Sequence, residues 1–268
     1  TMTLTKLLKG LVPVGLLSAL PSSAFATANL ASDDFVGISF WLISMAMLSA
    51  TIFFLWEVQN VEGKWKTSLV VGALVCFIAA VHYFYMRDVW VATGETPTVY
   101  RYIDWLLTVP LQMIEFYLIL AAIGIASAGM FWRLLIGTMV MLVAGFMGEA
   151  GYIDATVGFI VGMLGWFYIL YEIFAGEAGK QAGTASDAIQ SAFGNMRLVV
   201  TIGWAIYPLG YVLGYFVMVD ASGATTAAAS QTLNVVYNLA DIVNKLAFCL
   251  LVWYAATSDN KNLNPAAA

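Results

Sequence analysis

The chain has 268 residues, 62% of them hydrophobic and only 10% charged, with a formal net charge of −5. A soluble domain carries about a quarter charged residues, so an aqueous globular enzyme is excluded and no nucleic-acid partner is expected. The natural solvent of this composition is a lipid bilayer.

The first segment, "TKLLKGLVPVGLLSALPSSAFA", joins a basic start (Lys6, Lys9) to a short apolar stretch and an Ala24-Phe25-Ala26 ending. This pattern predicts a cleaved signal peptide over 1–26, with a single membrane domain over 27–268. The alternative is an extra helix, which Pro13 and Pro21 oppose by bracketing a run too short to span.

Seven apolar runs follow, at about 35–56, 66–87, 98–123, 131–148, 152–175, 190–217 and 233–257. Each approaches the roughly 20 residues that a spanning helix needs. Helices satisfy their own backbone groups in lipid, whereas a barrel would show alternating segments of ~10 residues. The expected fold is therefore an all-α bundle of seven transmembrane helices. Cleavage near Thr27 would leave the N-terminus outside and, after seven crossings, the C-terminus inside. Lys64, Lys66, Arg133, Lys180, Arg197 and Lys261 then fall on the inner side and Arg87 at an outer helix end, as the positive-inside rule requires.

In the second run Cys76, like Cys249 in the seventh, lies in apolar sequence without C-x-x-C or metal spacing, so both read as small core residues. Beyond it, "VWVATGETPTV" alternates weakly around Gly94 and predicts a small hairpin.

The third run, "RYIDWLLTVPLQMIEFYLIL", carries Arg101, Asp104 and Glu115 in hydrocarbon. Charges there cost a few kcal/mol or more and face a protein interior or a water cavity. At ~100° per residue, Arg101, Asp104, Trp105, Thr108, Gln112 and Glu115 share an arc of about 100°. One polar stripe faces the bundle, with Glu115 about 16 Å deeper than Asp104 at 1.5 Å per residue.

Gly158, Gly162 and Gly165 in the fifth run, and Gly210 and Gly214 in the sixth, predict close helix packing. Polar stretches at 175–188 and 219–231 read as surface loops on the inner and outer sides. No internal repeat supports an inverted-repeat transporter. The sixth run places Trp204, Tyr207 and Tyr211 on one face, with Pro208 between them. Trp105 and Trp166 can point into the same space, giving an aromatic box for a long, flat, conjugated ligand.

In the seventh run, "LNVVYNLADIVNKLAFCLLVWY", Lys245 lies in mid-membrane, one turn beyond Asp241, with Asn234 and Asn238 extending the stripe outward. The lysine suits either a packing ion pair with Asp241 or a nucleophile that forms a Schiff base with a carbonyl ligand. Asp104, Asp241 and Arg101 lie on its outer side and Glu115 on its inner side. This arrangement predicts vectorial proton movement, with Asp104 as acceptor and a dry Glu115 as donor.

"RYIDWLLTVPL", "WAIYPLGY" and "YNLADIVNK" resemble the third, sixth and seventh helices of the microbial rhodopsins, and most of all those of the blue-absorbing proteorhodopsins. The resemblance covers essentially the whole chain after the leader. It implies all-trans retinal bound to Lys245 as a protonated Schiff base and lined by Trp105, Trp204, Tyr207 and Pro208, with Trp166 near the ring. It further implies Asp104 as counterion and proton acceptor, Asp241 as second counterion, Arg101 as their outer partner and Glu115 as inner donor. Thr108 completes the Asp-Thr-Glu triplet of the family's outward proton pumps; the sodium and chloride pump patterns do not fit. His82 aligns with the histidine that hydrogen-bonds the acceptor aspartate, and Gln112 with the spectral tuning position at which glutamine accompanies blue absorption. The resemblance implies a multi-pass protein of the inner cell membrane that transports protons and assembles as a homo-oligomer, pentamer or hexamer, with no metal.

The expected function is thus a light-driven outward proton pump, an ion transporter and no enzyme. Its alternative is a photosensory rhodopsin that signals to a partner through a slow photocycle. A receptor for a diffusible ligand would leave Lys245 without a use. Asp88 and Glu149, near outer helix ends, read as solvated charges.

Overall fold

The structure is a computed structural model that describes residues 30–263; the expected leader lies outside them. Among the described residues, seven helices are long and apolar enough to cross a membrane. They are α1 (Phe35–Glu57), α2 (Trp65–Thr93), α3 (Thr98–Ala122), α4 (Ala128–Glu149), α5 (Ala155–Phe174), α6 (Asp187–Val217) and α7 (Ala227–Asp259). Successive helices pack side by side, and α7 closes the ring against α1, α2 and α6.

Short polar residues start several helices by accepting otherwise unpaired N–H groups. Asp34 accepts from Gly37 N at 2.8 Å, Ser127 from Met130 N at 3.1 Å, Asp154 from Thr156 N at 2.9 Å and Thr226 from Ala229 N at 3.1 Å. The most apolar windows of α2, α3 and α7 are 50% or more buried, against 28% for α6. The two helices that carry the charged stripes, α3 and α7, are thus among the most buried, together with α2.

Two expectations about connections are corrected. No hairpin forms around Gly94: α2 continues to Thr93, and Gly94, at φ +69°, caps it by donating to Trp90 O at 2.8 Å. Counting apolar residues ends a run at the hydrocarbon boundary, but a helix can continue into the polar interface, where its groups remain paired. Likewise the inner 175–188 loop contains a short helix, Glu177–Ala182. It is tied down where Glu172 accepts from Ala178 N at 3.2 Å and Arg133 reaches both Glu172 and Glu177.

The α4–α5 seam is as close as its glycines suggest. A Cβ on Gly158 would lie 2.7 Å from Gly148 Cα, and one on Gly165 2.7 Å from Met141 N. Backbone touches backbone there. Elsewhere the helical geometry loosens into π-turns at Val199–Gly203, Leu213–Val217 and Ile242–Ala247, a distortion found mostly at functional positions. Pro208 contributes to the first disturbance: it has no N–H for the Trp204 carbonyl, which accepts from Tyr207 N at 3.1 Å instead.

Candidate functional site

α3 and α7 bring their charges together in the middle of the bundle. Lys245, in the last π-turn, is 1% exposed. Its Nζ donates to Asp104 Oδ2 and lies 3.2 Å from Asp241 Oδ2. Arg101 Nη1 is 3.8 Å from Asp241 Oδ2, and its Nη2 donates to Asn234 Oδ1 and Asn238 Oδ1 at 3.0 Å each. Two cations therefore face two carboxylates with no net charge, a condition for tolerating such groups away from water.

The two aspartates are held differently. Asp241 accepts from Tyr83 OH at 2.7 Å, Tyr207 OH at 2.8 Å and Trp105 Nε1 at 3.0 Å. Asp104 has only Lys245 as a side-chain partner, and its Oδ1 accepts no hydrogen bond. Thr108 does not reach that carboxylate; its hydroxyl donates to the Asp104 backbone carbonyl at 2.9 Å. Nor does His82 hydrogen-bond Asp104 here. Its Nδ1 lies 2.8 Å from Ile78 O of its own helix.

Glu115 stands apart, 1% exposed, with neither oxygen in a hydrogen bond. The Ser68 hydroxyl of α2 is the polar group facing it and is itself without a hydrogen-bond partner. Phe116, the next residue, packs edge-on against Phe193 at 4.9 Å and Phe248 at 5.7 Å. Cys76 and Cys249 are buried free thiols on this side, as their apolar context suggests.

A cavity of about 100 Å³ opens beside the charge cluster. Trp105, Gln112, Trp166, Trp204, Tyr207 and Pro208 all line it, whereas Lys245 lies behind this lining, in contact with the Asp241 carboxylate that Trp105 and Tyr207 hold. Gln112 Nε2 donates to Asn244 O at 3.2 Å, next to Lys245. Trp166 Nε1 donates to Val200 O at 3.0 Å. The flat aromatic walls and the adjacent buried primary amine fit retinal, an elongated conjugated aldehyde; Lys245 is the residue that would hold it.

Several participants escaped the sequence reading. Tyr83 had no signal beyond its place beside His82. Asn244 lies about 100° off the Lys245 stripe, yet its Nδ2 donates to Gly203 O at 2.9 Å and joins the first and last of the three π-turns. The solvated reading of Asp88 stands, since its half-exposed carboxylate pairs with Arg87 at 3.5 Å. That of Glu149 does not: the side chain is partly buried and accepts from three tyrosine hydroxyls. Those partners come from three other helices and have no spacing signature.

The family of bacteriorhodopsin-like proteins matches residues 34–259. The blue-light absorbing proteorhodopsin of Gamma-proteobacterium Hot 75m4 is 51% identical over 254 residues, covering 95% of this chain and 99% of the relative. Among solved structures, the blue light-absorbing proteorhodopsin from Med12 is 53% identical with a TM-score of 0.71, covering 84% of this chain and all of that one. Xanthorhodopsin, described as a light-driven ion pump with dual chromophore, is 26% identical with a TM-score of 0.72 and covers 85% and 94%.

Proposed function

Because the chain belongs to the bacteriorhodopsin-like family, we propose that its buried charges form an outward path for protons. The protein is a light-driven proton pump, a retinal-binding multi-pass protein of the cell membrane and a transporter. The observation that carries the residue assignment is the position of Lys245. Its nitrogen is held between Asp104 and Asp241, while Glu115 is isolated from both.

Lys245 would hold retinal, all-trans at rest, which would supply light absorption and photoisomerisation. Asp104 balances the charge on the Lys245 nitrogen and then accepts its proton. Asp241, fixed by three donors, serves as second counterion, and Arg101 holds the outer side of the pair. Glu115 returns a proton to the Lys245 nitrogen from the inner side. A neutral carboxyl is the form that a partnerless, desolvated site tolerates, so Glu115 carries the proton it later gives up. Thr108 braces the Asp104 turn, His82 modulates the Asp104 charge, and Gln112 tunes absorption toward blue. The N-terminus lies outside, the leader over 1–26 is removed, and the assembled form is a homo-oligomer, pentamer or hexamer.

The test is the pH of an unbuffered suspension of cells expressing the chain with retinal, under illumination, with and without a protonophore. Acidification abolished by the protonophore is expected. A coloured protein that moves no protons would replace this reading with the sensory one.

A further inference from the structure

Cys249 lies one turn inward of Lys245 on α7, just beyond the π-turn Ile242–Ala247 that carries the lysine. It is 2% exposed, and its Sγ donates to the Gly72 carbonyl of α2 at 3.6 Å. Gly72 leaves that carbonyl open to the thiol: a Cβ there would stand against Cys249, 3.6 Å from its Cβ and 3.7 Å from its Sγ. The groups facing the thiol are Cys76 of α2, Glu115 of α3 and Lys245 of its own helix. Cys249 thus faces both ends of the step in which Glu115 returns a proton to Lys245.

Those two ends do not touch. Lys245 Nζ donates to Asp104, and Glu115 lies about 16 Å further along α3 at 1.5 Å per residue, whereas proton transfer needs an approach of about 3 Å or one intervening water. Toward α6 the gap is bordered by the rings of Phe116, Phe193 and Phe248. Toward α2 it is bordered by Ser68, Gly72 and Cys76, which recur every four residues on one face of that helix. Ser68 and Glu115 are each 1% exposed, and the Ser68 hydroxyl and both Glu115 oxygens are without hydrogen-bond partners. The polar atoms that can hold a water therefore stand along α2, not among the rings, and the Cys249 thiol ties α7 to α2 across that same side.

We propose that Cys249 is a positioning residue for proton return: at rest its hydrogen bond to the Gly72 carbonyl holds α7 against α2 between Glu115 and Lys245, and that bond opens when Glu115 gives up its proton. This assignment rests on the donor reading of Glu115. Gly72 lies inside α2, so its carbonyl keeps its helical partner when the thiol leaves, and its second lone pair becomes free for water on the Ser68 side. The O–H bond at Glu115 then breaks, the proton crosses through that water, and an N–H bond forms at Lys245. The S–H bond stays intact and no electrons are transferred. A cysteine placed only to fill space would keep one environment through the cycle.

The experiment is time-resolved infrared spectroscopy of the S–H stretch in the retinal-loaded protein in lipid, combined with flash photolysis. The chain has two cysteines, so Cys76→Ala isolates the Cys249 band. That band is expected to move to the position of a free thiol as the Glu115 carboxyl band falls, and to return with the resting state. Cys249→Ala and Cys249→Val both lack the donor and are expected to speed recovery by about 3-fold, within the range of one hydrogen bond. Cys249→Ser keeps a donor and restores the slower rate in part. A packing role alone would separate alanine from valine, which change the volume in opposite directions. The proposal is overturned if the Cys249 band stays fixed while Glu115 loses its proton, or if the alanine and valine recovery rates are unaltered or move apart. A failure of the donor reading is distinguishable, since the Glu115 carboxyl band would then not fall during the cycle at all. Should the variants fail to fold, the two S–H bands of the unaltered protein decide the matter: a shift in step with Glu115 supports the proposal, and a fixed pair overturns it.

Discussion

Asp241 and Asp104 both touch Lys245, but the structure makes their removal unequal in a measurable way. Asp241→Asn keeps the volume and one oxygen acceptor and removes the charge, leaving Lys245 and Arg101 facing a single carboxylate. Breaking a buried pair from one side costs about 3–5 kcal/mol. Asp241→Ala additionally strips the Oδ1 acceptor that asparagine keeps for Trp105 and Tyr207. Each stranded donor costs about 1–3 kcal/mol, and since the two share one network their sum is an upper bound. The alanine variant is thus expected to be less stable than the asparagine variant by more than one such donor, up to about 6 kcal/mol, against a total of about 5–15 kcal/mol for a folded domain. At position 104 the same comparison strands no donor beyond Lys245, so Asp104→Ala and Asp104→Asn should differ by about 1 kcal/mol. The assay is the yield and thermal bleaching of retinal-loaded protein for all four variants. Equal alanine-to-asparagine gaps at the two positions would refute the reasoning.

Three further outcomes follow from other parts of the molecule. Glu115→Gln should leave the first outward proton transfer intact and slow the return of a proton to Lys245 by about 10²-fold or more; an unchanged recovery rate in flash photolysis would remove the donor role. Gly165→Ala should destabilise by about 1–3 kcal/mol, because backbone of α4 meets the new methyl group on two sides. Gly194→Ala, a helical position with nothing within 4 Å, should stabilise by up to about 1 kcal/mol; thermal bleaching that moved the same way in both would contradict the packing argument. In the outer loop, Asp220 accepts from Ser222 Oγ at 2.6 Å, Ser222 N at 2.8 Å and Ala224 N at 3.0 Å, and these bonds hold its carboxyl below the usual range. A depressed carboxyl contributes above its unfolded value and loses that contribution as pH falls through its folded value. Amide exchange at Ala224 should therefore stay protected down to the ordinary aspartate range near pH ~4 and accelerate only below it. Acceleration already near pH ~6 would show that the turn does not depend on this carboxylate.

What could be read in advance depended on whether a feature lies along one helix or between several. The stripe on α3 and the series Asn234, Asn238, Asp241 and Lys245 on α7 follow helical periodicity, so their shared face was visible from spacing alone. The aromatic box was legible for the same reason, since Trp204, Tyr207 and Tyr211 repeat on one face and all line the cavity. Tyr83, Ser68 and the tyrosines around Glu149 were not. A tyrosine in an apolar run gives no indication of where its hydroxyl will point, and these tyrosine hydroxyls find partners 158, 47, 66 and 88 residues away, while Ser68 faces Glu115 across a helix interface. Asn244 was hidden because ideal spacing sets it about 100° off the Lys245 stripe. The outer end of α2 was misjudged because hydropathy locates the lipid boundary rather than the end of the hydrogen-bonded helix.

The unequal hydrogen bonding of the two aspartates also bears on direction. A proton arriving on Asp241 would convert an acceptor-only group into one that must donate, so one of its three donors would have to turn away or lose its acceptor. Trp105 Nε1 cannot turn, being a donor only, which leaves the adjustment to Tyr83 or Tyr207. Asp104 meets no such obstacle, because its Oδ1 has no donor to displace. Of the two carboxylates that touch Lys245, Asp104 is the one that can receive a proton without dismantling its surroundings. On the other side, the rings of Phe116, Phe193 and Phe248 pack edge to face beside Glu115, placing apolar surface where a returning proton would otherwise find partners. Ease of acceptance on one side of Lys245 and dryness on the other favour the same direction, and both come from charges set at helical spacing on α3 and α7 together with side chains that α2 and α6 bring against them.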